Sequence, residues 1–444
     1  MQDRKILLQA HQLMTRRASL ALLCGEPDSP NQPLRRMNTA TVTSIMAGVI
    51  VAAVFGVLGL LAPAPVTGLT KPGTLVVDQD TATPYVPCDG GKLCPALNYA
   101  SALLALDTSP VAAVVVHQDS LARYPIGPTI GIAGLPQDLP TAGDLVQGPW
   151  SVCTANGQTT LVGGESTGGT ALGRAQAVLA TTRGGDWVLW NGERLAVTQQ
   201  VMRVLFGGEV QPATVPAGWL DALPRGPDFA APAIVGDGNP MTGPGRTTAK
   251  VGQVFHQASP AQYYVLEASG KLATITPTQA DLLETDPGAP GPAQITLAMA
   301  TTDLSSATVP GGGLPPTLPQ VATEATTLCA VYGAGLSRSL TTGGTVPAGA
   351  AATTGRAGVN AVWLPSGHGA LAGAAPSVQQ PSSVTGWFLI SGAERFALPR
   401  PSVAAVLGYD LQASGTVLPA SVLDLLPQGP VLDPAAATAR AAAG

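Results

Sequence analysis

The chain has 444 residues, of which 53 are Gly and 41 Pro, yet only 11% are charged and 4% aromatic. This argues against long soluble helices as the main element, while 45% apolar residues exclude disorder caused by lack of core material. A net charge of -5 with no basic tract excludes a general nucleic-acid binder, which must neutralise phosphates with clustered Lys and Arg.

The first element is a helix. Ile6, Ala10, Leu13, Met14, Leu20, Ala21 and Cys24 recur at helical spacing, with Gly25 and Pro27 as a stop. Arg4, Lys5, Arg16 and Arg17 lie among them, so the helix reads as resting on anionic lipid, as docking on a membrane partner, or as an ordinary basic flank.

Ala40 to Leu61 then reads ATVTSIMAGVIVAAVFGVLGLL, inside a charge-free gap from Arg36 to Lys71. At about 1.5 Å per residue such a helix spans the roughly 30 Å hydrocarbon layer, and one transmembrane helix is expected. Before it stand Arg4, Lys5, Arg16, Arg17, Arg35 and Arg36 against Asp3, Glu26 and Asp28, a net of +3; the rest of the chain carries -8. Basic residues flanking a span stay inside, which places the N-terminus in the cytoplasm and the bulk of the chain outside. A cleaved signal peptide is the competing reading, kept open by Ala62-Pro63-Ala64.

Beyond the span a pattern recurs. Trp187 begins WVLWNGERLAV, Tyr264 begins YVLEASGKLAT, Trp387 begins WFLISGAERFAL, and Tyr85 begins YVPCDGGKLCPAL. Each has an aromatic start, an apolar strand, a Gly turn, a basic residue and a second apolar strand, and Asn191-Gly192 is a strong hairpin signal. A short helix is expected after each, in LNYASALLAL, QQVMRVLFG, TPTQADLLE and RPSVAAVLG. A second element follows in PAGWLDALPRGPDF from Pro216, PASVLDLLPQGPVLD from Pro419 and, more loosely, HQDSLARYPIGPTIG from His117. The aromatic starts stand 102, 77 and 123 positions apart, too irregular for a solenoid.

Four cysteines lie beyond the span. Cys88 and Cys94 enclose a turn sequence, so a bridge closing a hairpin is the simplest pairing, which leaves Cys153 with Cys329. That second bridge joins positions 176 apart and implies a domain assembled from discontinuous segments. A metal site is the alternative, though there is no C-x-x-C spacing and the four histidines are scattered.

The expected fold is therefore α+β: an N-terminal cytoplasmic helix, one transmembrane helix, and an extracytoplasmic region of four hairpin-helix repeats around a discontinuous β-rich central domain. Its boundaries are 1–39 for the amphipathic segment, 40–61 for the span, and 70–140, 185–235, 250–290 and 380–433 for the repeats. The central domain takes 145–180 plus 290–365, and 434–444 is a disordered low-complexity tail.

Catalytic signals are weak. Gly164-Glu165-Ser166-Thr167-Gly168 fits G-x-S-x-G, but His256 and His368 offer no recognisable triad. GGESTGGT from Gly163 resembles a P-loop with Gly169 where the phosphate-binding lysine belongs. His117 reads as a strand-end residue, and the aromatics heading the repeats read as core packing, with a sugar-binding face as the alternative. No catalytic or metal residue is assigned.

The order of these features resembles the EccB family, a membrane core component of the type VII (ESX) secretion system. The residues that carry it are Gln9, His11, Leu13, Arg16, Arg17, Ala21, Leu22, Gly25, Arg35 and Arg36, followed by one span and the repeats around a Cys-linked domain. The resemblance implies a single-pass plasma-membrane subunit that anchors and assembles the pore within an oligomeric complex. Its partners would be EccC, EccD and EccE, with contact to the cell wall and none to nucleic acid. It implies partner docking through Gln9, His11, Arg16, Arg17, Arg35 and Arg36, and a central disulfide at Cys153 and Cys329, with Cys88 and Cys94 as an addition. It also implies ATP binding and hydrolysis at family level, with no cofactor site assigned to any residue here. A peptidoglycan-binding anchor is the remaining alternative.

Overall fold

The computed structural model describes residues 2–24, 40–52, 67–306, 309–322, 326–333, 336, 338–354, 358–377, 380 and 382–441. The chain divides into two units, residues 1–67 and 68–444.

The described residues of the first unit form two helices. Gln2–Cys24 contains no Gly or Pro, and Thr15 and Ser19 return their hydroxyls to the carbonyls of His11 and Arg16. Residues 40–52 form the second, with every side chain exposed, including Val42, Ile45, Met46, Val49, Ile50 and Val51. Ser44 donates to the Ala40 carbonyl, so its hydroxyl is satisfied inside the helix. Residues 53–61 of the expected span lie outside the described residues. Among the described residues no helix is long and apolar enough to cross a membrane.

The second unit contains four sheets of one topology. In the first, the strands Thr74–Asp78, Pro84–Cys88 and Lys92–Pro95 form an antiparallel meander, and Ala112–Val116 returns parallel to Thr74–Asp78. The second has Gln176–Thr182, Gly185–Trp190 and Glu193–Val197 with Ala213–Thr214. The third has Val254–Gln257, Gln262–Leu266 and Leu272–Ile275 with Ala293–Gln294, and the fourth has Gly369–Ala375, Gly386–Ser391 and Glu394–Leu398 with Gly415–Pro419. A parallel return requires a crossover, and a helix supplies it each time: Tyr99–Leu106, Gln199–Phe206, Pro277–Leu283 and Ser402–Val406. Asn98, Thr198 and Thr276 cap the first three, the last with a complete capping box through Gln279.

After the returning strand each chain makes a short helix and reaches back to the free edge of its third strand. The Arg194 amide donates to Pro224 O at 3.0 Å and Gly226 donates to Arg194 O at 2.9 Å. The same pair of bonds joins Leu93 to Pro125 and Gly127, Leu272 to Asp303 and Ser305, and Arg395 to Pro427 and Gly429.

A separate seven-stranded sheet is ordered Ala351–Ala352, Ala361–Trp363, Gln158–Gly163, Trp150–Ala155, Thr327–Tyr332, Arg338–Thr342, Thr170–Ala171. One of its faces carries Trp150, Val152, Leu161, Ala330, Tyr332 and Leu340 into a core shared with the helices Ala217–Ala222 and Ala420–Leu423 of the second and fourth sheets. Trp219 Nε1 donates to Val152 O at 2.8 Å and the Tyr332 hydroxyl to Ala222 O at 2.6 Å.

Three expectations need correction. The expected central domain resumes at residue 290, but Ala293–Gln294 pairs parallel with Val254–Gln257 and belongs to the third sheet. The first part of that expected domain runs to residue 180, but Gln176–Thr182 pairs with Gly185–Trp190 through the Arg183-Gly184 turn and belongs to the second sheet. Residues 434–441 of the tail are ordered: Asp433 caps the helix Pro434–Ala437, Ala437 is buried, and Ala441 N donates to Thr129 O. Alanines serve there because the small side chain allows close approach to the helix Tyr99–Leu106.

Candidate functional site

Gln9, His11, Arg16 and Arg17 all lie exposed on the helix Gln2–Cys24, beside Ile6, Leu13 and Met14, which are also exposed. The helix thus presents apolar and basic side chains together. Arg35 and Arg36 lie outside the described residues.

The structure joins Cys88 to Cys94 and Cys153 to Cys329. Cys153 and Cys329 face each other in the antiparallel register of Trp150–Ala155 and Thr327–Tyr332, adjacent inner strands of the central sheet. Both are fully buried. The loop through Thr167 and the loop through Gly344 are tied together by Thr345 N donating to Thr167 O at 2.8 Å, and Gly344 approaches the Cys329 sulfur. The bridge therefore holds together sequence on either side of the second and third sheets. Cys88–Cys94 sits at the joint of the first sheet, where a Cβ on Gly127 would collide with both sulfurs.

The Gly164–Gly168 motif runs from one strand, Gln158–Gly163, to another, Thr170–Ala171. A nucleophile elbow or a P-loop needs a helix after the turn, whose N-terminus and backbone N–H groups meet the oxyanion or phosphate. Ser166 Oγ accepts from Gly168 N at 3.3 Å. His256 lies in the third sheet with its ring 4.6 Å from Tyr263, and His368 Nδ1 lies 3.0 Å from Ser366 O. These groups form no triad. His117 follows the strand Ala112–Val116 with Nδ1 3.6 Å from Asp80, whose carboxyl is held below its ordinary range by the Gln118 N–H. Among the described residues no group of three or more His, Cys, Asp or Glu gathers in metal-binding geometry.

What the structure does bring together are couplings between sheets. Arg338 of the central sheet donates to Glu193 of the second at 2.7 Å, both largely buried. Arg400, after the fourth sheet's meander, donates to both oxygens of Asp107 of the first at 2.7 and 2.8 Å. The Tyr409 hydroxyl donates to Pro140 O at 2.8 Å, and burial pushes that phenol above its ordinary value, as it does Tyr332. None of these was read from the sequence, where a single Arg or Tyr gives no sign of its partner. These contacts join one sheet to another.

The family described as "Type VII secretion system ESX-1, transport TM domain B" matches residues 3–443. The chain is similar to the ESX-2 secretion system ATPase EccB2 of Mycobacterium tuberculosis, 30% identical over 266 residues covering 56% of this chain and 52% of that protein. It is 29% identical to the ESX-3 secretion system ATPase EccB3 of the same organism over 265 residues, covering 55% and 46%. The chain spans about half the length of the curated relatives it matches. Among solved structures, an intact ESX-5 inner membrane complex contains a chain with TM-score 0.66 and 24% identity, covering 99% of this chain and 95% of that one. A structure of the EccB3 dimer from the ESX-3 core complex gives TM-score 0.65 and 25% identity, covering 82% and 99%.

Proposed function

The chain belongs to the EccB family of type VII secretion transport components, and from that premise we propose that it is a structural, single-pass membrane subunit of a type VII (ESX) secretion complex. Its N-terminal helix would lie in the cytoplasm, and the unit 68–444 on the other side. The observation that carries this reading is the helix at 40–52, which is apolar and wholly exposed. Water does not stabilise such a surface, and hydrocarbon does. We read the four sheets as copies of one hairpin-helix repeat around the disulfide-linked central domain, a scaffold whose couplings hold it rigid.

The Gln2–Cys24 helix is the docking element in this proposal, with Gln9, His11, Arg16, Arg17, Arg35 and Arg36 meeting EccC, EccD and EccE type partners in an oligomer. The reading assigns no residue to ATP: the glycine loop has Gly169 where a P-loop lysine stands, and it joins two strands. To test the reading, membranes are washed at alkaline pH and the complex is purified in mild detergent, with and without residues 1–39. The chain should stay with the membrane, and deletion should release it from its partners. Recovery in the aqueous wash, or unchanged association after deletion, refutes the corresponding half.

A further inference from the structure

We propose that the free edge of Ala112–Val116 in the first sheet, with the apolar groove at its start, is a docking site for an extended, uncharged peptide segment that carries one bulky apolar side chain.

The four sheets differ in their returning strand. In the second and third it is only two residues long, too short to template another strand, and in the fourth Thr416 ties it to Gln147 of the neighbouring segment. In the first it is five residues long and ends its sheet, with no strand beyond it among the described residues. The Ala112 amide donates to Gly73 O, and Val116 O accepts from Gln79 N. In a parallel ladder this turns residues 112, 114 and 116 toward Thr74–Asp78, and the N–H and C=O of Ala113 and Val115 outward. No charged residue or bulge blunts the edge, and Val115 is 61% exposed.

The groove begins where the edge begins. A cavity of about 380 Å³ is lined by Tyr99, Leu103, Pro110, Val111, Leu139 and Tyr409, among others. Val111 shares a face with Ala113 and Val115, the face on which Leu75 and Val77 enter the core. A strand laid along the edge would place alternate side chains on that face, and the one beside Val111 would reach the groove. Main-chain bonds plus a pocket for one side chain is a common mode of peptide recognition.

A second copy of this chain fits less well. Five residues extend about 17 Å, whereas a stable interface draws roughly 20–30 residues from each side. Two such edges paired about a two-fold axis would also offer each other nothing larger than Val, leaving the groove unfilled. A transient peptide suits both the short edge and the empty groove.

The test uses the full chain in detergent and a fluorescent nine-residue peptide of alternating Thr and Val with one Phe, followed by anisotropy and amide exchange. Saturable binding is expected, with exchange protection confined to residues around 111–117. Val115→Pro removes an amide outside the internal ladder, so the fold should survive while affinity falls roughly tenfold, about 1.4 kcal/mol. Val115→Lys gives a second variant should proline disturb the strand. Methylating alternate peptide amides, or replacing the Phe by Thr, should weaken binding similarly. Absence of binding, equal binding by both variants, or protection elsewhere overturns the proposal. Self-association abolished by Val115→Pro would likewise overturn it, by assigning the edge to a second copy. Failure here leaves the membrane-subunit reading intact, since membrane retention and co-purification depend on residues 1–61.

Discussion

Arg395 donates to Asp424 at 2.7 Å while its guanidinium lies 5.1 Å from the centre of the Phe388 ring. Arg194 makes the same arrangement with Asp221, at 2.6 Å, over Trp187, at 5.4 Å. Each clamps the third strand of its sheet to the short helix that packs on the central core. The arginines are largely buried and the aspartates largely exposed, so the two halves of the pair contribute unequally. Removing Arg395 takes away ring stacking and stem packing as well as charge; Asp424→Asn weakens only a water-screened attraction. We expect Arg395→Ala to cost about 1–2 kcal/mol and Asp424→Asn less than about 1 kcal/mol in urea unfolding. Equal losses would show that the ion pair, and not the stacking, holds the clamp.

The clamps recur because the sequence recurs, and this sets what could be read in advance. Asn191-Gly192 and Gly392 announce their hairpins because a tight turn demands particular residues, and Thr276-Pro277 announces a helix because caps do the same. Gln176–Thr182 and Gly369–Ala375 carry no such punctuation: a short apolar run is equally a buried strand or a buried helix segment, and only pairing decides. The return strands Ala213–Thr214 and Ala293–Gln294 are too short to leave any periodicity. The basic residues of the first helix were legible as a pattern of charge. The edge at Ala112–Val116 was not, because an apolar run does not say which of its sides is left open.

The two disulfides close loops of very different size, with separations of 6 and 176. In the chain-entropy account, cross-linking the longer loop restricts the unfolded state more, by about 5 kcal/mol against about 2 kcal/mol. Cys153→Ser paired with Cys329→Ser should therefore lower the urea midpoint well beyond Cys88→Ser paired with Cys94→Ser. The central bridge, fully buried under the Thr167 and Gly344 loops, should also resist reductant in the folded protein. Equal midpoints for the two double variants would contradict the entropic ordering.

Burial raises the Asp281 carboxyl, and Glu284 is raised first by burial and then by Asp281 beside it. A carboxyl raised in the folded state holds its proton more tightly there than in the unfolded chain, so its ionisation costs stability as pH climbs through the carboxylate range. The cost is absent below the unfolded pKa and complete above the folded one. Asp281→Asn should thus gain stability relative to the parent between about pH 3 and about pH 7. Urea unfolding at both ends of that range decides it: a difference that stays flat would mean the group is as well hydrated folded as unfolded.

Gly429 tests whether the joint between returning chain and third strand is as tight as its two hydrogen bonds to Arg395 suggest. A Cβ there would overlap the ring of Phe396, which is 2% exposed and packed in the core shared by the first and fourth sheets. The ring cannot swing away without opening that core, so the backbone must shift and the bonds to Arg395 must lengthen. Overpacking of this kind costs about 1–3 kcal/mol, and Gly429→Ala should fall in that range. Trimming the ring should relieve part of the overlap, so Gly429→Ala combined with Phe396→Leu should lose less than the sum of the two single changes. Gly208→Ala is the control, since nothing lies within 4 Å of its Cβ position and the residue follows a helix in open space. If Gly429→Ala proved as harmless as Gly208→Ala, the third strand and its returning chain would have room between them, and the joint could not be what fixes the short helices against the central sheet.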